Sequence, residues 1–518
     1  MNICFDSKGI IAAKNRGIGN YTINIVKSIL KNYPDNHYYL ISWTDECLKE
    51  KYFTNDLIKE INCKIGWDIS WDYKAVKSCI LENLKKYNID VYIDTAPVIS
   101  GYPNYDKLWF ENTLLVGVVY DFIPLVFAEN MIEDIDGGVR YIQKIVNLKG
   151  YDLLISISET TKLDTIKFLN VSSEDIVNCY MDGNQFDSEL SDSAVSDVRK
   201  KFKITNKYYI STVWLEYHKN LERILDAYGM AYIENKDIPD LVMTGKIQPK
   251  YNDLIENKLS SYNLKDKIHF VGYVSDDDLH ALYYGADWLI FPSMYEGFGM
   301  PVLEAWRHNI PVITSNNSSL GEIAKGSAIL TNPFDTTSIK EAILESASMN
   351  DEERANLINL GINRAKEFSW DKTTREYMNQ ITKVNKVIDL ENYLNKLKDM
   401  RRVEKILTEE LISRLNINKF QLLKAKNLII FGAGNYGKKL YDVMPGSLVP
   451  YIKCFCDNVV RGKLNGLEII SLDEAINKYD NAVYIVASKY AVEDITKQLL
   501  KANIPCDCIM NCNEFGDF

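Results

Sequence analysis

Short apolar runs alternate with amphipathic stretches along the first part of the chain. Residues 2–6 (NICFD) read as a buried strand that ends in an acid. Gly17 and Gly19 follow in what reads as a loop, and Asn20 caps a helix bearing Ile23, Ile25, Val26, Ile29 and Leu30. Further strands are predicted over 39–43, 91–94, 114–121 and 153–158. Strands separated by helical stretches form βαβ units and hence a parallel sheet. The pattern restarts at Tyr208, with strands over 208–213, 241–244, 268–271, 288–292 and 312–315. Helices are predicted between them, among them 220–232 and 276–284, and a last helical stretch covers 370–381. The expectation is two doubly wound α/β domains, 1–190 and 191–370.

The periodicity then changes. Residues 386–426 contain neither Gly nor Pro. Apolar positions recur at Val387, Leu390, Leu394, Leu397, Val403, Leu407, Leu411 and Leu415, a helical spacing. This stretch reads as a helical connector packed on a neighbouring domain, with a homodimer seam as the alternative. A third unit, 427–518, opens with strand 428–431, which runs into Gly432-Ala-Gly434-Asn-Tyr-Gly437 and a helix. Strands 452–456 and 483–487 follow. Asp457 ends the second strand, 20 residues beyond Gly437. Gly432, Gly434, Gly437 and Asp457 fit a dinucleotide fingerprint, with the acid placed for a ribose hydroxyl. Too few strands follow for a full dinucleotide fold, so a dry structural turn is the leading alternative.

A length of 518 residues corresponds to roughly three or four domains. The formal net charge of −11 provides no basic footprint for nucleic acid. It leaves room for an anionic small ligand held locally by a lysine and backbone N–H groups. Ten cysteines are spread without a scaffold pattern, and reduced thiols in a cytosolic compartment are the simpler reading. Cys454 and Cys456 share a strand face and Cys506, Cys508 and Cys512 lie near the end. Their C-x-C spacing departs from zinc knuckles, which favours buried thiols over a metal site. No leader and no spanning apolar run are read. A cytoplasmic protein follows, with a peripheral seat at the inner face of a membrane as its only membrane option.

The most informative stretch is Phe291-Pro-Ser-Met-Tyr-Glu296-Gly297-Phe298-Gly299-Met300-Pro-Val-Leu-Glu304. A buried strand ends in a glycine loop, and a helix starts near Met300. Glycines allow close backbone approach to a ligand, and a helix N-terminus holds an anion through free N–H groups. Glu296 and Glu304 face one cleft, where ionised carboxylates accept from sugar hydroxyls. A capped helix with solvent-facing acids is the bland alternative.

This Glu-x7-Glu element resembles the donor-site signature of retaining glycosyltransferases of family four, which have the GT-B fold. Other matches occur in the family's order over roughly residues 1–380. They are Arg16-Gly17-Ile-Gly19-Asn-Tyr, Val119-Tyr120-Asp121-Phe-Ile-Pro124, Ile157-Ser-Glu-Thr-Thr-Lys162, Glu216-Tyr-His-Lys219-Asn220-Leu221, Gly272-Tyr273-Val274-Ser-Asp276 and Phe368-Ser-Trp370. The resemblance implies two Rossmann-like domains facing across a cleft, with a helix over 371–385 crossing back to the first. It implies a nucleotide-sugar donor, UDP- or GDP-linked, on the second domain, with no metal and no other cofactor. Glu304 would bind the ribose. Glu296 would contact the transferred sugar beside the Gly297–Gly299 backbone, Phe298 and Met300. Lys219 would neutralise the diphosphate, joined by loop N–H groups at Gly17 and Gly19. Tyr273 and Val274 would hold the base, or merely pack at a strand end. Tyr120 and Asp121 complete the catalytic set. Tyr120 stands where many relatives carry His, and Trp214 where many carry Arg, so His218 or Arg16 would have to supply the missing cation. The third unit resembles small Rossmann-like modules on bacterial sugar-modifying enzymes, which serve in assembly or small-ligand binding.

The expected activity is transfer of a sugar, N-acetylglucosamine from its UDP donor first, to a hydroxyl acceptor such as flagellin Ser/Thr. The alternative is mannosyl or glucosyl transfer to a glycan or lipid-linked oligosaccharide. A non-catalytic scaffold with a degenerate donor site is the rival of another class.

Overall fold

A computed structural model describes residues 1–12, 17–53, 55–63, 73–183, 190–212, 216–384, 390–422, 427–443, 451–479, 482–488, 491–502, 504 and 508–511. The chain divides into two compact units, one of Met1–Val126 with Lys144–Met400 and one of Phe127–Gln143 with Arg401–Phe518.

The first unit contains two parallel sheets. One has strands β1 (Asn2–Asp6), β2 (His37–Ser42), β3 (Ile58–Asn62), β4 (Val91–Asp94), β5 (Leu114–Val119), β6 (Leu153–Ser156) and β7 (Ile176–Asn178), in the order β3-β2-β1-β4-β5-β6-β7. The other has β8 (Tyr208–Thr212), β9 (Asp240–Thr244), β10 (Ile268–Gly272), β11 (Trp288–Phe291), β12 (Val312–Ser315) and β13 (Ile329–Thr331), in the order β10-β9-β8-β11-β12-β13. Central strands such as β5 (LLVGVV) are buried on both faces, which is why they read as unbroken apolar runs. In each sheet the strand order reverses beside the first strand. The strand ends there leave a crevice. In the second sheet that crevice lies between β8 and β11, and the loops after these two strands carry Lys219 and Glu296.

Helix Trp370–Lys383 packs on helix Gly17–Asn32. The Tyr21 and Trp370 rings meet edge to face at 5.6 Å, and the Thr374 hydroxyl donates to Ser28 Oγ at 2.7 Å. The stretch read as a connector is one helix of 33 residues, Leu390–Leu422. Its start is anchored within the first unit, where the Tyr393 hydroxyl donates to Asp106 at 2.7 Å and Asp399 pairs with Lys149 at 2.8 Å. Within the second unit, Arg414 grips Glu129 with two hydrogen bonds, of 2.6 and 2.8 Å.

The second unit holds a sheet of β14 (Asn427–Phe431), β15 (Ile452–Cys456), β16 (Gly462–Leu464), β17 (Leu467–Ile470), β18 (Ala482–Val486) and β19 (Ile509–Asn511), in the order β16-β17-β15-β14-β18-β19. All pairings are parallel except β16 with β17. Six strands replace the half-sheet expected from sequence, because β16, β17 and β19 are too short to show a period.

Two other expectations are corrected. Gly17 and Gly19 do not form a loop; both lie in the first turn of helix Gly17–Asn32. Cys63 and Cys79 are joined by a disulfide rather than held as reduced thiols. Cys454 and Cys456 are free, and burial pushes each thiol up to about 12. Cys506 and Cys512 lie outside the described residues. Among the described residues no His, Cys, Asp and Glu group is arranged to hold a metal, and no helix is long and apolar enough to cross a membrane.

Candidate active site

The two sheets of the first unit face a common cavity of about 310 Å³. Its walls bring together Gly17, Tyr120 and Asp121 from the first domain with Lys219, Tyr273, Val274, Glu296, Gly297, Phe298, Gly299, Met300 and Glu304 from the second. These residues span some 290 positions of sequence, and only the fold makes them neighbours. Gly19 does not line the cavity; it is buried in its helix.

Lys219 ends a short 3₁₀ turn, Tyr217–Lys219, closed by Asn220 in the left-handed region (φ 64°). The Asn220 amide donates to the carbonyls of Pro292 (2.9 Å) and Pro333 (2.7 Å), which fixes the turn against the end of β11. Met294 N–H donates to the His218 carbonyl at 2.7 Å, so the two crevice loops are stitched together. Lys219 Nζ then reaches Glu296 Oε1 at 2.7 Å, with both side chains largely buried. Burial alone would raise the Glu296 carboxyl. The Lys219 charge and its hydrogen bond lead the opposing pull and hold Glu296 below the usual carboxylate range. His218 is not the missing cation. Burial, then the neighbouring Lys219 charge, lowers it to about 4, and it is neutral near pH 7. Trp214 and Arg16 lie outside the described residues.

The loop that follows Glu296 is held by its backbone. Ser319 Oγ lies 2.8 Å from the Glu296 carbonyl and 2.6 Å from that of Phe298, and Glu296 N–H donates to Ser318 Oγ at 3.3 Å. Gly297 lies where the second domain touches the first. A Cβ there would fall 2.0 Å from the Tyr120 carbonyl oxygen, a distance no side chain tolerates. Gly299 has φ 130° and N-caps helix Met300–Arg307. That helix and helix Gly17–Asn32 both direct their first residues to the cavity. Two helix N-termini on one cavity favour an anion between them.

Glu304 is buried on the first helix, and its Oε2 accepts from the Tyr283 hydroxyl at 3.1 Å. Asp121 is pushed up to about 6, first by burial and then by Glu296, against the pull of the Ile123 N–H and Lys219. The Tyr120 hydroxyl donates to the Thr95 carbonyl at 2.7 Å, so its proton is already engaged. Thr212, Thr244 and Met181 also line the wall and were not singled out from sequence; Asn20 and Asp276 line it too, although the sequence marked them only as a helix cap and as the end of a motif. Polar residues at the C-terminal ends of β8 and β9 would have been the signal for the two threonines.

In the second unit, Gly432 has φ 116°, and a Cβ on Gly437 would meet the Gly432 oxygen at 1.8 Å. The turn is therefore tight. Asp457 is already engaged. One oxygen accepts from Ala433 N–H at 2.9 Å, and the other accepts from Val459 and Val460 N–H at 2.9 and 3.0 Å. Its carboxylate closes the turn.

The architecture is that of the GT-B glycosyltransferases. The crystal structure of Anabaena HepE in complex with UDP and glucose aligns with a TM-score of 0.56 at 15% identity, over 74% of this chain and 100% of that one. WaaG, a glycosyltransferase involved in lipopolysaccharide biosynthesis, aligns with a TM-score of 0.53 at 15% identity over the same shares. Likeness at that identity speaks for the fold alone. In sequence, residues 195–364 match the family described as Glycosyl transferases group 1. The serotype-specific mannosyltransferase WbdA of Escherichia coli is 28% identical over 261 residues, which is 50% of this chain and 32% of that protein. The O-antigen chain mannosyltransferase B of E. coli is 29% identical over 246 residues, 46% of this chain and 64% of that protein. This chain thus spans about a third of the length of WbdA.

Proposed function

We propose that the chain is a glycosyltransferase that moves a hexose, mannose first, from a nucleoside diphosphate sugar to a hydroxyl of a glycan. The observation that carries this reading is the buried Lys219–Glu296 pair, set in a cavity onto which two helix N-termini open. The names of the relatives support mannosyl transfer from a GDP- or UDP-sugar over the UDP-N-acetylglucosamine and flagellin expectation.

In this reading the donor diphosphate lies between the helix N-termini, beside Lys219. The C1–oxygen bond to the β-phosphate breaks, and its electron pair leaves with the phosphate. Lys219 and the backbone N–H groups stabilise that charge where it develops. The acceptor oxygen bonds to C1 from the same face, and its proton passes to the departing phosphate, so configuration is retained. Glu296, held ionised by Lys219, accepts from hydroxyls of the transferred sugar, and Glu304, oriented by Tyr283, accepts from the ribose. Closing the cleft over the donor would exclude water, which would otherwise take the sugar. The reaction as drawn uses no metal.

A thermal-shift series with GDP, UDP, GDP-mannose and UDP-N-acetylglucosamine tests the donor, because a ligand that binds only the folded chain raises its melting temperature. The expected rank puts GDP-mannose first. Stabilisation by none of the four would favour the scaffold reading. An inverted anomeric product by NMR would remove the same-face step.

A further inference from the structure

The first turn of one helix carries the contact between the donor loop and the opposite domain. Helix Glu159–Leu169 follows β6 and is N-capped by Ser158, whose Oγ accepts from Thr161 N–H at 3.1 Å. Second-domain groups clasp this turn. The Glu322 carboxylate accepts from the N–H groups of Glu159 and Thr160, both at 2.9 Å. Tyr295, the residue before Glu296, donates its hydroxyl to Asp164. Thr161 sits at the centre, 1% exposed. Its hydroxyl lies 2.9 Å from the Tyr120 carbonyl oxygen and 3.2 Å from the Gly297 carbonyl oxygen. Ser158 Oγ donates to it at 3.1 Å, which leaves its own proton for those two oxygens. One proton is therefore shared between the carbonyl that precedes Asp121 and the carbonyl that follows Glu296.

We propose that Thr161 is a positioning residue: its hydroxyl ties the Tyr120 and Gly297 carbonyls together and so sets Asp121 against Glu296 across the cleft. Thr161 itself is not part of the cavity wall and acts through the two backbones it joins. A buried hydroxyl with one proton between two fixed carbonyls has no slack, so its loss is felt as misalignment rather than as lost binding. The kinetic consequence rests on the glycosyl-transfer reading above.

Thr161→Val keeps the shape and removes the hydroxyl, and Thr161→Ser keeps the hydroxyl. The valine variant is expected to lower kcat on the order of 10- to 100-fold with the donor KM little changed, as misaligned reacting groups do. The serine variant is expected to restore most of the loss. Hydrogen exchange gives a second reading that needs no substrate. The amides of 120–121 and 297–299 are expected to exchange about tenfold faster in the valine variant, with the rest of the sheet unchanged. Wild-type turnover and exchange in the valine variant would overturn the proposal, as would a serine variant as slow as the valine one. If the wild-type chain transfers no sugar from any donor, the functional reading falls and the exchange result alone decides Thr161.

Discussion

The chain contains two strand–glycine–helix turns of similar appearance that have different surroundings. The turn at Gly297–Gly299 leaves Glu296 and Glu304 aimed into a cavity, with Lys219 as the partner of the first. The turn at Gly432–Gly437 has its acid, Asp457, satisfied by three backbone N–H groups. Glycine spacing thus reports a backbone shape. Whether that shape serves a ligand depends on what the nearby carboxylate already holds, and that is settled by partners as far off as Lys219 for Glu296 and as near as Val459 for Asp457.

Mutations separate the two turns, and Lys219→Ala is expected to have the largest effect. It removes the cation proposed to face the donor phosphate and should lower transfer on the order of 10²- to 10³-fold in a steady-state assay. Near-normal turnover would remove the phosphate assignment. Gly297→Ala comes next. A methyl group 2.0 Å from the Tyr120 oxygen must push the domains apart. Turnover is expected to fall on the order of 100-fold. The same substitution at Gly434, where a Cβ meets nothing within 4 Å, should change neither stability nor transfer. A silent Gly297→Ala would break the contrast.

A smaller effect is expected from pH. The folded chain holds a proton on Asp121 up to about 6, whereas a free aspartate releases it near 3.8. Between those values the unfolded chain binds fewer protons, so raising the pH through this window costs the fold stability. Asp121→Asn removes that cost. Its unfolding free energy should gain on the wild type as pH rises from 4 to 7, by on the order of 2 kcal/mol once cleft water is allowed for. A gap that does not change with pH would show that Asp121 is not buried as described. The smallest effect belongs to the second unit. Asp457→Asn should cost about 1 kcal/mol there through weaker acceptance of three N–H groups. Transfer should be untouched, and NAD should shift neither protein's melting curve. A clear NAD shift in the wild type would restore the dinucleotide reading.

The central strands were legible because parallel strands covered on both faces must be apolar throughout, as in LLVGVV at 114–119. Edge strands were not. Ile58–Asn62 (IKEIN) is more than half polar and Ile329–Thr331 has only three residues, and only their neighbours identify them. The cavity residues were legible where a loop needs a particular chemistry, as at Gly297, Glu296 and Lys219. Partnerships across the fold were not. Nothing local shows that the Tyr120 hydroxyl is taken by Thr95, that burial silences His218, or that Cys63 meets Cys79. Gly17 and Gly19 were misread because two glycines near a helix start look alike whether they precede it or begin it.

The packing of Trp370 on Tyr21 also bears on the order of synthesis. Ser28 and Thr374, bonded beside that ring pair, are separated by 346 positions. The first domain leaves the ribosome without helix Trp370–Lys383, which covers one of its faces. That helix arrives only after the whole second sheet has been made. Contacts so distant in sequence are slow to form, and the uncovered face is sticky while it waits. A nascent chain halted at residue 369 should therefore lose its first helix to protease readily, and one extended to 384 should resist.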